Sequence, residues 1–388
     1  MGIVWLVEAR ASEIVRCDHT MTRDRRTNRR GFLATAGIGG ATLLAGCLSA
    51  PTASGDGGSN PSGGSSQNPE PELDPPAEVD LDRIAADPAD VPPPVDWTEP
   101  RRHEITLVTE EYTATVADGV TFDYMTYEGQ VPGPMIRVRR GDTIHLRFEV
   151  PDDLNAHPHN VDFHAVYGPG GGAEHTTLAP GDDAAEIEFT TEYPGIHIYH
   201  CAVPNMDQHI SAGMFGAILV EPEGGLDPVD REFYLGQHEI YTQGSLGESG
   251  HHSFSFDRMQ AEDPTYVVFN GTPYAFTEDR FGPLQAETGE TIRVYFANGG
   301  PNLTSAWHPI GNVWSRLYRD GDLLSDPAQF VETVPIAPGT VVAGEMETPV
   351  PGPIKIVDHA LSRAGRRGAL GVIDVDGEAD SDIYDPDP

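Results

Sequence analysis

The sequence predicts an all-β protein with two tandem antiparallel domains, each a Greek-key β-sandwich or barrel. From Arg102 onward, short segments alternate apolar and polar residues with a period of two, as in PMIRVRRGDTIHLRFEV. These segments recur at intervals of about ten residues and are separated by Gly and Pro turns. No long stretch with helical periodicity interrupts them. This pattern is typical of β-sandwiches and barrels.

The alternation occurs twice, in two halves that resemble each other. The segment PMIRVRRGDTIHLRF of the first half corresponds to GPLQAETGETIRVYF of the second, and PGIHIYHCAV corresponds to PGPIKIVDHAL. We therefore assign a first domain to residues 101–225 and a second to residues 226–376. The second copy has no cysteine and no methionine loop, so an electron-carrying metal is expected in the first domain only.

The segments outside the two domains predict export, tethering and solvation. Residues 1–47 resemble a twin-arginine export signal with a lipobox, in which Cys47 would be lipidated. Residues 48–100, rich in Gly, Ser, Pro and acidic residues, predict a flexible linker, and residues 377–388 an acidic tail. We expect export to the extracytoplasmic face and contact with the membrane only through a lipid on Cys47.

The charge of the chain excludes one class of partner. Its 388 residues include 61 acidic and 24 basic ones, for a net charge of -37. Such an excess of acid argues against binding to nucleic acid. It fits a halophilic protein, because self-repulsion is screened within roughly 3 Å at 1 M salt. The three cysteines cannot form a disulfide framework, so each must be explained separately.

The loop from Cys201 to Met214, CAVPNMDQHISAGM, predicts a copper site. It offers the thiolate of Cys201, the imidazole of His209 and the thioether of Met214, and His159 upstream is the natural second imidazole. Two imidazoles, one thiolate and a weak axial thioether are the ligands of a blue-copper centre. Each residue alone would more often be a core residue, so the prediction depends on their joint spacing.

Three further histidines, His164, His200 and His359, predict a second metal site with an open coordination position. His200 and Cys201 are consecutive on an apparent strand, so their side chains point to opposite faces, and the same parity separates His159 from His164. Zinc would also accept three histidines. Copper is favoured because the His200-Cys201 pair gives an electron a short covalent path. His359 could come from the same chain or from a neighbouring one.

Three further residues are expected to lie around the open coordination position of the second metal site. Asp162 shares a strand face with His164 and could lie beside this position. His308 could be a buried structural histidine, or it could join Asp162 in delivering protons to a bound oxyanion. Ile310 is expected to form an apolar wall of the site.

These motifs resemble one known family along almost the whole of both domains. HNVDFHA, YHCAVPxxxxHIxxGM, NGGPNLxSxxHxIG and VDHALxRAxxxGALG, in this order, resemble the copper-containing nitrite reductases, in particular the branch with a short Cys-to-His loop. The resemblance implies two cupredoxin domains per chain and a homotrimer. It also implies the reduction of nitrite to nitric oxide with one electron and two protons.

Carried onto this sequence, the resemblance implies two coppers per chain. The type 1 copper, which would receive an electron from a small cupredoxin or cytochrome c, would have as ligands His159, Cys201, His209 and Met214. The electron would pass through Cys201 and His200 to the type 2 copper, where nitrite binds, with the ligands His164, His200 and, from the adjacent subunit, His359. Asp162 and His308 would be the proton-relay pair, and Ile310 would face the bound nitrite.

Two other functions compete with this interpretation. A multicopper oxidase needs paired His-x-His motifs and a histidine after the cysteine, whereas here Ala202 follows Cys201 and the only His-x-His is at His157 and His159. An electron-transfer cupredoxin would need only the first site, so the three additional histidines argue against it.

Overall fold

The computed structural model describes residues 72–387, in which strands predominate, and it confirms the all-β prediction. The first half contains the strands β1 Arg102–Ala117, β2 Val120–Tyr127, β3 Ile136–Arg139, β4 Thr143–Glu149, β5 Asp162–Phe163, β6 Ala185–Thr190, β7 Gly195–His200 and β8 Phe215–Glu221. The second half contains β9 Arg231–Ile240, β10 Gly250–His251, β11 Tyr266–Phe269, β12 Leu284–Glu287, β13 Thr291–Gly300, β14 Ser305–Ile310, β15 Trp314–Tyr318, β16 Ala328–Val331, β17 Val334–Ile336, β18 Thr340–Glu347, β19 Gly352–Asp358 and β20 Leu370–Asp376. The helices are short: α1 Ala173–Thr176, α2 Met206–Ser211, α3 Phe256–Gln260 and α4 Leu361–Arg367, with 3-10 turns at Pro169–Gly172 and Arg319–Gly321.

Two sheets enclose the core of the first half. One has the strand order β10-β2-β1-β4-β6 and the other β3-β8-β7-β5. Alternate residues of β4, Ile144, Leu146 and Phe148, are buried, as the period-two pattern predicts. They belong to the same apolar core as Ile196 and Ile198 of β7. The sandwich thus holds β7 rigidly, and β7 ends at the residues from which the metal sites are expected.

Two further sheets form the second half, with the orders β11-β9-β13-β18-β15-β16 and β12-β20-β19-β14-β17. Their core is built on aromatic rings: Trp307 stacks on Trp314 with ring centroids 3.7 Å apart, and Phe296 stacks on Trp307 at 4.8 Å. β14 carries His308, and β19 ends one residue before His359. The predicted boundary at residue 225 falls in the connection between β8 and β9.

The linker prediction is wrong for residues 72–100, which pack against the first half. Ile84 and Ala86 are buried and pair with Val131: Val131 N donates to Ile84 O at 3.0 Å, and Ala86 N donates to Val131 O at 2.9 Å. Trp97 Nε1 donates to the buried carboxylate of Asp142 at 3.1 Å. The average composition of the segment concealed these few apolar residues, whose burial offsets the cost of ordering the backbone.

A buried ionic network connects strands of the two halves. Arg137 on β3 donates to Glu221 on β8 at 2.6 Å and to Glu232 on β9 at 2.6 Å. Arg293 on β13 lies 2.9 Å from Glu232 and 2.6 Å from Glu345 on β18. Both guanidinium groups are almost completely buried. Because each buried charge has at least one partner of opposite sign, the network avoids an unpaired charge in the core.

Several predictions concern residues outside the described range. The export signal, the lipobox with Cys47 and residues 48–71 of the linker belong to this part of the chain. Within residues 72–387, no helix is both long enough and apolar enough to cross a membrane.

Candidate metal centres

Three buried donor atoms converge at the end of β7. Cys201 Sγ lies 3.9 Å from His159 Nδ1 and 3.6 Å from His209 Nδ1, and the two imidazole nitrogens are 3.2 Å apart. All three side chains are buried. We call His159, Cys201 and His209 the first donor set. Two imidazoles and a soft thiolate at these separations fit copper, so the chemistry of the set agrees with the metal that the sequence predicts.

The loop after Cys201 folds back and places Met214 beside the first donor set. Helix α2 carries His209, and Met214 N donates to His209 O at 3.0 Å, while Cys201 N donates to Met214 O at 3.2 Å. Met214 is completely buried. Gly213 closes the loop with a φ of 119°, and a Cβ there would lie 2.5 Å from Val131 Cγ2. Only glycine fits both requirements.

Asn160, which is not among the ligands that the sequence predicts, contacts the thiol of Cys201. Its Oδ1 accepts a hydrogen bond from Ala202 N at 2.6 Å and lies 3.7 Å from Cys201 Sγ. Burial raises the pKa of the Cys201 thiol to about 11, so a bound cation is needed to stabilise the thiolate at neutral pH. The signal that could have identified Asn160 is its position directly after His159.

Glu111 is a second residue that no sequence motif marks. Its Oε1 lies 3.0 Å from His159 Nε2, on the ring edge that faces away from the first donor set. Burial alone would raise the pKa of Glu111, but hydrogen bonds from His159 and His157 outweigh it and lower the pKa to about 2. Burial, and then the neighbouring His159, lower the pKa of His209 to about 4. His209 is therefore neutral at pH 7, the form in which imidazole binds a metal.

A second group forms on the other side of the strand. His164 Nε2 and His200 Nε2 are 3.1 Å apart, and a carboxylate oxygen of Asp162 lies within 4.8 Å of both rings' donor atoms. Asp162 pairs with His200 across β5 and β7, and His164 N donates to Ile198 O at 3.0 Å. We call Asp162, His164 and His200 the second donor set. His200 is buried, whereas His164 is exposed, so this set opens at the surface.

His359 lies elsewhere in the fold, just after β19. Its ring centroid is 5.2 Å from that of His308, and its N–H donates to Ala306 O at 2.6 Å. Among the described residues of this chain, His359 does not belong to the second donor set. The sequence left open whether His359 joins His164 and His200 of its own chain or of a neighbouring chain. The structure does not show the first of these arrangements.

His308 and Ile310 lie on the outward face of β14. Trp307, which precedes His308, is fully buried, whereas His308 is half-buried and Ile310 is 38% exposed. His308 Nδ1 donates to Glu332 O at 2.8 Å, which leaves Nε2 as the nitrogen that can accept a proton. The interpretation of His308 as a buried structural histidine is thus wrong. His308 and His359 instead form one surface patch, which we call the β14–β19 patch.

Comparisons with known proteins find relatives that are named for copper enzymes. A family model described as multicopper oxidase matches residues 108–225. A copper-containing nitrite reductase of Neisseria meningitidis serogroup B is 42% identical over 303 residues, which cover 78% of this chain and 76% of that protein. The structure of a copper nitrite reductase from Nitrosomonas europaea covers 72% of this chain and 95% of its own, with 32% identity and a TM-score of 0.63. A multicopper oxidase crystal structure covers 76% of this chain and 98% of its own, with 26% identity and a TM-score of 0.62.

Proposed function

This chain belongs to the family of copper-containing nitrite reductases, and from that premise we propose that it reduces nitrite to nitric oxide and water with one electron and two protons. The observation that carries the proposal is the pair of donor sets on opposite sides of the consecutive residues His200 and Cys201. One set has the soft ligands of an electron carrier, and the other has the open, harder ligands of a site for a small anion.

We assign the residues to two copper sites. Copper would supply a one-electron carrier at the first site and a Lewis acid for nitrite at the second. The residues that would hold the type 1 copper are His159, Cys201, His209 and Met214. The residues that would hold the type 2 copper are His164, His200 and His359 of the partner subunit.

The assignment of His359 to a partner subunit rests on its position. His164 and His200 are two imidazoles at a surface opening, and a third is needed to hold a metal with one position left for substrate. His359 is absent from this group in its own chain, although it lies on a surface patch of the same molecule. A symmetric ring of three copies, in which each β14–β19 patch covers the second donor set of its neighbour, would complete every site.

The peptide bond between His200 and Cys201 provides the path for the electron. These two residues are consecutive, so covalent bonds alone connect the thiolate of one donor set to the imidazole of the other. His200 Nδ1 also lies 3.0 Å from Cys201 O, a contact in which the ring donates to the carbonyl. This leaves His200 Nε2 free to face His164 and a metal.

The two protons require groups next to the bound nitrite. Asp162 offers a carboxylate beside His164 and His200, and His308 would arrive together with His359 of the partner subunit. A carboxylate and an imidazole on opposite sides of the anion can each hold one proton near an oxygen that must leave as water. Ile310, two residues after His308 on the same face, would limit the space around the nitrite.

The remaining proposals concern location and partners. The twin-arginine-like leader and Cys47 would export the protein and anchor it to the extracytoplasmic face by a lipid. A small cupredoxin or cytochrome c would supply the electron. The net charge of -37 fits a halophilic protein, and in concentrated salt it would steer such a donor only weakly.

A steady-state assay tests the proposed function. The copper-loaded full chain is supplied with nitrite and a reduced artificial donor, without oxygen and in molar salt, and nitric oxide is measured. We expect continuous nitric oxide release, which His359→Ala abolishes while one copper per chain is retained. His175→Ala, a change of an exposed histidine outside both donor sets, is the matched control and should be fully active. No nitric oxide release in this assay, together with oxygen consumption in a parallel assay that supplies oxygen in place of nitrite, would favour the multicopper oxidase alternative instead.

A further inference from the structure

Glu111 lies behind His159, on the side opposite the first donor set. Its carboxylate accepts a hydrogen bond from His159 Nε2 at 3.0 Å, while Nδ1 of the same ring is 3.9 Å from Cys201 Sγ and 3.2 Å from His209 Nδ1. The two nitrogens of His159 therefore face two different groups. A carboxylate that holds the proton on one ring nitrogen determines which nitrogen keeps a lone pair for a metal.

The carboxylate of Glu111 is itself firmly held. Oε1 also accepts hydrogen bonds from Ala156 N at 3.0 Å and His157 N at 2.9 Å, and Oε2 lies 2.9 Å from His157 Nδ1. The side chain is 16% exposed, and it stands on β1, whose register with β2 is continuous around it, with Glu111 opposite Met125. Glu111 thus places a fixed negative charge next to a proposed copper ligand.

We propose that Glu111 is a positioning residue of the type 1 copper: it fixes the Nε2–H tautomer and orientation of His159 and lowers the reduction potential of the bound copper. This inference rests on the proposed copper site. A nearby negative charge stabilises the oxidised ion, which carries one more positive charge than the reduced ion. A neutral group in the same place would favour the reduced ion.

A purely structural role for Glu111 is the alternative. The two backbone N–H groups of Ala156 and His157 bond to the same oxygen as His159, so Glu111 could serve only to fix this loop. The change Glu111→Gln separates the two roles. The amide oxygen can accept all three hydrogen bonds that Oε1 accepts, whereas the charge is lost.

The experiment is a redox titration of the copper-loaded full chain, followed by the visible absorption of the oxidised type 1 centre. For Glu111→Gln we expect the equilibrium with a one-electron mediator to shift about tenfold toward reduced copper, which is ~59 mV for one electron. Glu110→Gln is the matched control. It removes the same charge from the residue that precedes Glu111 on β1. The side chain of Glu110 points to the opposite face of the sheet, so this change should leave the reduction potential unchanged.

Each outcome decides the inference. A shift toward reduced copper in Glu111→Gln alone supports it, whereas no shift, a shift toward oxidised copper, or an equal shift in both variants overturns it. If Glu111→Gln does not fold, Glu111→Asp replaces it: the charge remains but is withdrawn from His159 by one methylene, so we expect an altered absorption spectrum and a higher potential. A wild-type spectrum and potential for Glu111→Asp would overturn the inference. Failure of the wild-type chain to bind copper at this site would instead refute the proposed function.

Discussion

His200 and Cys201 are adjacent in the chain, yet their side chains belong to different donor sets. His200 Nε2 is 3.1 Å from His164 Nε2, whereas Cys201 Sγ is 3.6 Å from His209 Nδ1. The alternation of side chains along β7 accounts for this separation. A shift of one residue in the register of β7 would exchange the two residues between the sites. The pairing of β7 with β8 therefore determines which residue belongs to which donor set.

The first prediction concerns the carboxylate of the second donor set. Asp162→Asn removes a proton-holding group but preserves its shape, so both coppers should stay bound while turnover falls by about 100-fold or more. Nitric oxide release and copper content are measured on the same sample. Asp152→Asn, at an exposed loop position, serves as the control and should be fully active. An unchanged rate for Asp162→Asn would contradict its role in the proton relay.

The second prediction tests the contribution of a partner subunit. His164→Ala and His359→Ala each remove one proposed ligand of the type 2 site, and each variant should be inactive alone. The two variants are then unfolded and reassembled together. If these two ligands come from different copies, the mixture should recover about a quarter to a third of the wild-type activity per trimer, because some interfaces join an intact His164 to an intact His359. If mixing restores no activity although mixed assemblies form, His359 does not act across subunits.

The third prediction follows from a buried carboxyl group of the second half. Burial raises the pKa of Glu239 to about 7, although Asn302 N, Leu303 N and the Tyr241 hydroxyl donate to its oxygens. Because its folded-state pKa lies above the unfolded value, the group binds more protons when folded, and its contribution to stability is lost as pH rises from about 4.5 to about 7.

Glu239→Gln cannot titrate, so its free energy of unfolding should fall less, or rise more, than that of the wild type as pH increases through this window. The difference in slope should reach at most about 1.4 kcal/mol per pH unit within this window. Urea unfolding at pH 5 and pH 8 measures it, with the exposed Glu223→Gln as control. Parallel pH dependences of Glu239→Gln and the wild type would disprove the assignment of this titration to Glu239.

The fourth prediction concerns the buried ionic network. Arg293→Met leaves the carboxylates of Glu232 and Glu345 without one of their cations, which should destabilise the chain by about 3–5 kcal/mol. Arg258→Met removes a surface ion pair with Asp263 and should cost no more than about 1 kcal/mol. Unfolding in denaturant gives both values. Equal effects would mean that burial of the network contributes nothing to the stability.

The sequence predicted those features that depend on local periodicity. The strand pattern around IHIYHC placed His200 and Cys201 on opposite faces, and the loop spacing indicated His209 and Met214. Glu111 could not be found in this way, because it is 48 residues from His159 in sequence and meets it only through the pairing of distant strands. The packing of residues 72–100 against the first half was not predicted for a similar reason. Ile84 and Ala86 pair with Val131, a contact that local composition does not encode.

A sequence pattern also does not indicate which copy of the chain supplies His359. The motif VDHAL marks His359 as a ligand candidate, but only the fold shows that it lies beside His308 and apart from His164 and His200. The tertiary structure thus favours the proposal that His359 acts in the site of a neighbouring subunit over the alternative that it acts within its own chain.

A single-turnover experiment tests the central claim most directly. The copper-loaded full chain is reduced with one electron at each type 1 centre, freed of donor and oxygen, and mixed rapidly with nitrite in molar salt. We expect the absorption of oxidised type 1 copper to return with the formation of one nitric oxide per electron. His359→Ala should keep its type 1 copper reduced under the same conditions. If the wild-type centre reoxidises no faster with nitrite than without it, the chain is an electron carrier and not a nitrite reductase.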